Sequence, residues 1–348
     1  MTDIIHRLIL LQKEYTLGKA QHNCLIVSGR RVSHSNSVPS VHIEEDSVQI
    51  ELNPNFESIH TLFQELKHVH HIKLIQFTKL VFVDHDFTHL PTNLASVLPN
   101  IKELTITSCK HYNNMDSSVD QFLSLQHINF VKCPELKSLS SLANISERCK
   151  LRHFVFDMCG LEVQPYDTWS EGLRALGKLR INPKTDCVSI TIGSCDQLKS
   201  LPSSIGYLKN IPLRLDITFN NCLRRLPHAL GDLIYLKSLI CRVSNHISKD
   251  SLPWSMGRLN PNVLVWLPKK EGIMTIRDLE AHFSQSRRRF FYGIVMLKIA
   301  LDRFHIRLQQ RHHHRDDKEQ DECCSANNKD EMKSLRLMVD DIRIECIL

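Results

Sequence analysis

Cysteine is the first residue type in this sequence that needs a chemical explanation, because its thiol can bind metal, form disulfides or act as a nucleophile. The chain has 12 cysteines in 348 residues, and no two have the CxxC spacing of a zinc ligand pair. Seven fall on core or turn positions of a recurring apolar pattern: Cys109, Cys133, Cys159, Cys187, Cys195, Cys222 and Cys241. We therefore expect structural thiols, which favour a reducing compartment and a cytoplasmic protein.

Two histidine clusters have donor atoms for a metal. One comprises His60, His68, His70 and His71, and the other joins residues 312–314 to Cys323 and Cys324. The first lacks an HExxH motif and the second lacks a scaffold, so we interpret them as solvated histidines and a polar tail. Phosphate-loop, dinucleotide, nucleophile-elbow and kinase motifs are also missing, and we expect no metal, no cofactor and no enzymatic activity.

A basic segment near the C-terminus could bind a partner. Residues 287–289 are three arginines, and they precede a helical apolar stripe formed by Phe290, Ile294, Leu297, Leu301, Phe304 and Leu308. Three interpretations are open: a cap on the last unit of the fold, a helix for a calmodulin-like partner, or a membrane-surface helix through residues 287–311. Burial of the stripe against residues 263–267 would favour the cap.

The elements that position these residues come from an internal repeat. Residues 77–90 carry apolar side chains at positions 1, 4, 6, 11 and 14, the spacing of LxxLxLxxN/CxLxxLP. The frame recurs from Ile101, Leu125, Leu151, Cys187 and Leu236. Positions 4 and 6 alternate with polar or β-branched residues, which predicts a short strand with one buried face, and position 9 turns the chain.

A second motif, LPxx[I/L/M]GxL, follows the strand. It occurs at residues 201–208, 226–233 and 252–259, with a variant at 90–97. Its proline suits the start of a short helical or extended segment, and its glycine permits a tight ending. One copy cannot bury its own apolar face, but stacked copies can.

These motifs resemble the leucine-rich-repeat superfamily, particularly the plant-disease-resistance-like kind that mixes LP with CxxLxxLP, as in Cys195, Leu198, Leu201 and Pro202. The resemblance implies an α/β solenoid with a curved parallel sheet on the concave side, short helices on the convex side and helical caps. It also implies a protein-binding scaffold. Near residues 213–222 the frame is ambiguous, because either Asn221 or Cys222 fits position 9, and a bulge is plausible there.

Positions 3, 5, 7 and 8 of each strand project from the concave face, since side chains alternate. The candidate binding residues are therefore Lys79, Val81, Glu103, Thr105, His127, Asn129, His153, Val155, Asp157, Ser189, Thr191, Ser238 and Arg242. The set is mixed in charge and poor in arginine and aromatic residues, which favours a protein or peptide laid across several strands and makes nucleic acid unlikely.

The predicted organisation has four parts. Residues 1–46 form a helical and extended cap, and 47–268 form the solenoid with an insertion near 162–186. Residues 269–310 form a helical cap, and 311–348 form a polar tail with a weak terminal helix. The residues around Val48 to Asn55 resemble a worn first repeat. We expect no secretory signal and no membrane span.

Overall fold

The computed structural model describes residues 24–28, 40–43, 47–51, 77–85, 87–88, 90, 94–113, 119–145, 150–163, 167–183, 185–242, 246–268 and 271–315. Only the backbone is described at residues 24, 27–28, 40–43, 47–51, 97, 120, 141, 144, 297 and 299–315. These residues form one sheet of twelve strands. The strands are β1 (Cys24–Ser28), β2 (Ser40–Ile43), β3 (Ser47–Glu51), β4 (Lys79–Val83), β5 (Glu103–Thr107), β6 (His127–Val131), β7 (His153–Asp157), β8 (Val188–Gly193), β9 (Leu213–Asp216), β10 (Leu236–Ile240), β11 (Leu264–Trp266) and β12 (Ile273–Thr275).

Strands β4 to β11 lie side by side in chain order, and each pairs in parallel with the next. In β4 to β7 the residues at positions 4 and 6 are buried and those at positions 3, 5 and 7 are partly exposed. Phe82, Ile106 and Phe130 are fully buried, for example. The predicted parallel solenoid, built from one strand per repeat, is therefore confirmed.

Short helical segments return the chain on the opposite face. The α-helices are α1 (Leu94–Val97), α2 (Ser170–Gly177) and α3 (Glu280–Arg315). The 3-10 segments are Val119–Gln121, Ser140–Asn144, Ser203–Asn210, His228–Asp232, Lys249–Ser251 and Trp254–Arg258. The predicted insertion is a longer return limb that contains α2, because β7 and β8 remain direct neighbours. Buried Trp169 anchors this limb by donating its indole N–H to the carbonyl of Glu162.

The glycine of the LPxx[I/L/M]GxL motif serves close packing and does not end the segment. A Cβ at Gly231 would lie 2.4 Å from the carbonyl oxygen of Ser255 in the next segment. At Gly257 it would lie 3.3 Å from Cβ of Phe283. Neither glycine has positive φ, so the expected tight ending is corrected to a close approach between neighbouring units.

Position 9 links four of the repeats to the one before them. Cys133, Cys159 and Cys195 direct their thiols at the position-6 carbonyls of the preceding repeats, at 3.6, 3.5 and 3.8 Å. In the repeat of β9 this place belongs to Asn220, which is fully buried. Neither Asn221 nor Cys222 occupies position 9, and both alternatives for the register there were wrong.

Asn220 bonds three backbone groups. Its Oδ1 accepts from the amide of Cys195 at 2.9 Å, and its Nδ2 donates to the carbonyls of Ile192 at 2.6 Å and Ile217 at 2.8 Å. The expected irregularity lies one strand further on. The pairing register between β10 and β9 shifts between Leu236 and Ser238.

Position 8 forms a left-handed corner in six repeats of the described chain. The φ angles lie between 52° and 63° at Asp84, Ser108, Lys132, Met158, Ser194 and Phe219. Each corner amide donates to the position-7 carbonyl of the following repeat, at 3.0 Å from Asp84 to Thr107 and 2.9 Å from Lys132 to Asp157, for example. The next repeat therefore holds each corner in place.

The two ends of the sheet depart from this order. At the N-terminal end β1 pairs in parallel with both β3 and β4, and β2 pairs antiparallel with β3. The expected worn first repeat, β3, is thus separated from β4 by β1. At the other end β12 pairs antiparallel with β11. Residues 1–23 of the predicted N-terminal cap and residues 316–348, with most of the predicted tail and its terminal helix, lie outside the described residues.

The turn before helix α3 and the first turn of that helix close the C-terminal end with residues that precede the predicted stripe. Ile276, Leu279 and Phe283 are buried, with exposed fractions of 3%, 2% and 3%. Phe290 is half-buried and meets the ring of Trp254 at 6.0 Å. Contact is therefore with the convex segment Trp254–Arg258, and among the described side chains the stripe does not cover residues 263–267.

Candidate functional site

The parallel register gathers the predicted concave residues into three columns; we call the face carrying positions 3, 5 and 7 the concave face. The position-3 column is Lys79, Glu103, His127, His153, Ser189, Arg214, Ser238 and Leu264. The position-5 column is Val81, Thr105, Asn129, Val155, Thr191, Asp216, Ile240 and Trp266. Position 7 includes Asp157, and Arg242 follows the end of β10. All thirteen predicted residues thus lie along one face.

Polar contacts connect the first strands of this face. Lys79 forms an ion pair with Glu103 at 2.9 Å. Asn129 donates through Nδ2 to Oε1 of Glu103 and to Oγ1 of Thr105, both at 3.1 Å. Half-exposed pairs of this kind contribute little stability, roughly 0–1 kcal/mol each. Their main effect is to hold these polar side chains in one arrangement on the surface.

A stacked histidine pair occupies the middle of the face. The rings of His127 and His153 lie 4.2 Å apart with an interplanar angle of 3°. Partial burial lowers the pKa of His153, and the neighbouring His127 and Arg214 lower it further. His153 is therefore predominantly neutral at pH 7.

Five residues of these columns were not among the predicted binding residues: Arg214, Asp216, Ile240, Leu264 and Trp266. The ambiguous register near 213–222 removed the first two from their columns. The spacing of Cys195, Leu198 and Leu201, transferred to Leu223 and Leu226, would have identified Asn220 as position 9 and recovered both. Trp266 was missed because position 9 of its repeat is Lys270, which does not fit the pattern, so the frame was not extended to this strand. The face is consequently richer in arginine and aromatic residues than expected.

The solved structures that resemble this chain include the following three. The leucine-rich-repeat domain of the type III effector XopL has 15% identity and a TM-score of 0.38, covering 57% of this chain and 71% of that chain. A leucine-rich-repeat protein of Leptospira interrogans has 16% identity and a TM-score of 0.24, covering 63% and 70%. The PEPR1–AtPEP1 complex has 16% identity and a TM-score of 0.17, covering 57% and 39%.

The fold is a leucine-rich-repeat solenoid. The parallel ladder, the position-9 contacts and the repeated corners of the chain define this fold. No protein-family model matches the sequence, and no curated protein matches it.

Within the described residues, no side chains assemble into a site for metal or thiol chemistry. No three side chains of His, Cys, Asp or Glu come together there as a metal site would require. The seven cysteines whose side chains are described are free thiols, and Cys187 and Cys222 are only half-buried. Burial raises the pKa of Cys195 to about 12 and also raises that of Cys241. These thiols are therefore protonated and weak nucleophiles at neutral pH. The cluster at residues 60–71 lies outside the described part.

Helix α3 leaves part of its apolar surface uncovered. Phe291, Tyr292, Val295 and Met296 are 47%, 68%, 54% and 46% exposed. Arg287 lies over the rings of Trp254 and Phe291, at 5.7 Å from each centroid. Within the described residues no helix is long and apolar enough to cross a membrane.

Proposed function

We propose that this chain is a non-catalytic protein-binding scaffold, cytoplasmic and active in signalling, that binds a protein or peptide partner across its concave face. The observation that carries the proposal is the concave face itself. Eight parallel strands present aligned, partly exposed polar and β-branched side chains, and no element of the described chain covers them. A solenoid gains such an extended surface because each repeat adds one strand to it.

The test places charges at the centre of the face. His127, Asn129, His153 and Val155 are replaced together by glutamate in the full chain, and affinity is measured for a partner recovered with the unmodified protein. We expect the affinity to fall at least tenfold, because four desolvated charges would oppose the partner. Lys178→Glu with Lys209→Glu on the convex side is the matched control. Unchanged affinity in a folded concave variant would remove the concave face from the proposal.

A second candidate is a regulatory role for helix α3, supported by its exposed apolar residues next to Arg287, Arg288 and Arg289. A calmodulin-like partner would clasp such a helix, and an anionic membrane surface would attract its arginines. Titration with calcium-loaded calmodulin and with phosphatidylserine vesicles distinguishes the two. Replacing Phe291 and Val295 by serine should abolish either interaction, and no binding by the unmodified chain would eliminate this candidate.

A further inference from the structure

An apolar cluster is exposed at the C-terminal end of the concave face. Ile240 pairs with Trp266 across β10 and β11, and Trp266 pairs with Ile273 across β12, so these three side chains share one face. Ile273 is 58% exposed, and Leu264, two residues before Trp266, is 40% exposed. We call Ile240, Leu264, Trp266 and Ile273, together with Arg214 and Arg242, the anchor patch.

Arg242 is held in place by Trp266. Its guanidinium carbon lies 3.9 Å from the centroid of the indole ring, a cation–π stack. Stacking uses the flat face of the guanidinium and leaves the N–H groups at its edge free to donate. Each side chain also restricts the other, which lowers the entropy lost when a partner binds. Tryptophan and arginine are the residues most often found to dominate binding at protein interfaces.

The charge of the anchor patch is predominantly positive. Within the described residues, neither Arg214 nor Arg242 forms an ion pair with a carboxylate. Asp216 is the nearest acidic group in the columns, and its Oδ1 already accepts from the amide and the hydroxyl of Thr218. Two exposed guanidinium groups therefore face one carboxylate that is partly satisfied, which favours an acidic ligand.

The columns also set the spacing of that ligand. Arg214 is in the position-3 column, Ile240 and Trp266 are in the position-5 column, and Arg242 follows at position 7. Four residues of extended chain span roughly 13 Å, and the side chain midway between them points the same way. An extended peptide running along the strands would thus place an acidic, an apolar and an acidic side chain on the three columns.

We infer that the anchor patch binds an extended segment of a protein partner with the pattern acidic–x–apolar–x–acidic. This inference rests on the proposed use of the concave face and adds the chemistry of the partner. The carboxylates pair with Arg214 and Arg242, and the apolar side chain packs on Ile240 and Trp266.

The experiment uses the full chain and three fluorescein-labelled peptides, Ser-Gly-Glu-Ser-Leu-Ser-Glu-Gly-Ser and its versions with lysine in place of glutamate or serine in place of leucine. Anisotropy gives the Kd at 50 and 150 mM NaCl. We expect the glutamate–leucine peptide to bind at least tenfold more tightly than the other two. Equal binding of the three peptides, or no binding of the first, overturns the inference.

Variants locate the binding. Arg242→Gln, Trp266→Ala and Ile273→Glu should each weaken the glutamate–leucine peptide at least tenfold. Of the three substitutions, Ile273→Glu should disturb folding least, because the side chain of Ile273 is mostly in solvent. The matched control is Arg174→Gln with Tyr207→Ala, which removes a second arginine–aromatic stack, 4.9 Å apart, on the convex side. An equal loss in the control overturns the inference.

The result is separable from that of the proposed function. The anchor patch alone is refuted if substitution in β6 and β7 lowers the affinity for the partner while Arg242→Gln and Ile273→Glu change the binding of neither partner nor peptide. No effect from either set refutes both. Loss of peptide and partner binding in the anchor variants supports both.

Discussion

Replacing Asn220 tests whether one buried amide joins the repeat of β9 to the repeat before it. Asn220→Ala removes the acceptor for the amide of Cys195 and both donors to the carbonyls of Ile192 and Ile217. A buried N–H without a partner costs about 1–3 kcal/mol, and each lost bond to a carbonyl costs about 0.5–1.5 kcal/mol. Carbonyls tolerate the loss better than amides, so we expect about 2–4 kcal/mol less free energy of unfolding.

Two further substitutions at this site should rank in a fixed order. Asn220→Cys restores a thiol donor like that of Cys195, which contacts the carbonyl of Gly193 at 3.2 Å, so it should lose about half as much as alanine. Asn220→Asp keeps the acceptor but turns a carboxylate oxygen toward two carbonyls. It should therefore lose more than alanine at pH 7, and part of the loss should return at acidic pH, where the protonated carboxyl group can donate.

Urea unfolding followed by far-UV circular dichroism measures these differences, provided that the slope with denaturant is the same in all variants. The control is Asn221→Ala, an exposed neighbour that the sequence interpretation offered for position 9, and its change should stay within about 0.5 kcal/mol. Equal losses for Asn220→Ala and Asn221→Ala would refute this placement of position 9. An aspartate variant no less stable than the alanine variant would refute the bonding scheme.

Three other predictions follow from the same packing. Phe130→Ala and Ile192→Ala should each lower the free energy of unfolding by about 2–5 kcal/mol in urea titrations, because both side chains are fully buried at position 6; a loss below 1 kcal/mol would contradict it. Alkylation mapped by mass spectrometry should modify the following thiols only in urea: Cys109, Cys133, Cys159, Cys195 and Cys241. Rapid labelling of the native protein would show that they are accessible. His153 has a folded pKa below the 6.5 of the unfolded chain, so the unfolded state binds the proton first as pH falls. Above pH 6.5 His153 is neutral in both states and costs no stability, and below that pH the free energy of unfolding declines until the folded pKa is reached. The Tm of His153→Gln should therefore drop less between pH 7 and 5.5 than the Tm of the unmodified protein. An identical drop would exclude this contribution.

The strands and their facing were predictable because they follow from local periodicity. Positions 4 and 6 of β4 to β8 were placed correctly, since each repeat carries an apolar pair and a cysteine or histidine at position 9. The frame failed at β9, where position 1 is Pro212 and three consecutive polar or thiol residues, Asn220 to Cys222, compete for one place. Only the spacing of the preceding repeat distinguishes them.

The ends were less predictable because their contacts are not local. Nothing in the spacing of β1 indicates that it lies between β3 and β4, since strand order at an edge is decided by tertiary pairing. At the C-terminus the sequence predicts a helical apolar stripe that begins at Phe290, yet the fully buried residues are Ile276, Leu279 and Phe283. Those three residues follow the hairpin of β11 and β12 directly, which brings them to the open end first. The anchor patch was not predicted for the same reason, because Ile273 lies on β12, whose position is set by tertiary pairing.

The left-handed corners give the array a polarity along its axis. Holding a residue with a Cβ at such a φ costs about 1 kcal/mol, and each corner is relieved by a carbonyl that belongs to the following repeat. Links to the preceding repeat are of another kind: amides at the start of each strand, such as that of Glu103, donate to the preceding repeat, here to the carbonyl of Thr78 at 3.0 Å. The corners alone therefore depend on the C-terminal neighbour. Loss of the last repeat would remove the acceptor of the corner before it, whereas loss of the first repeat would leave the remaining corners held.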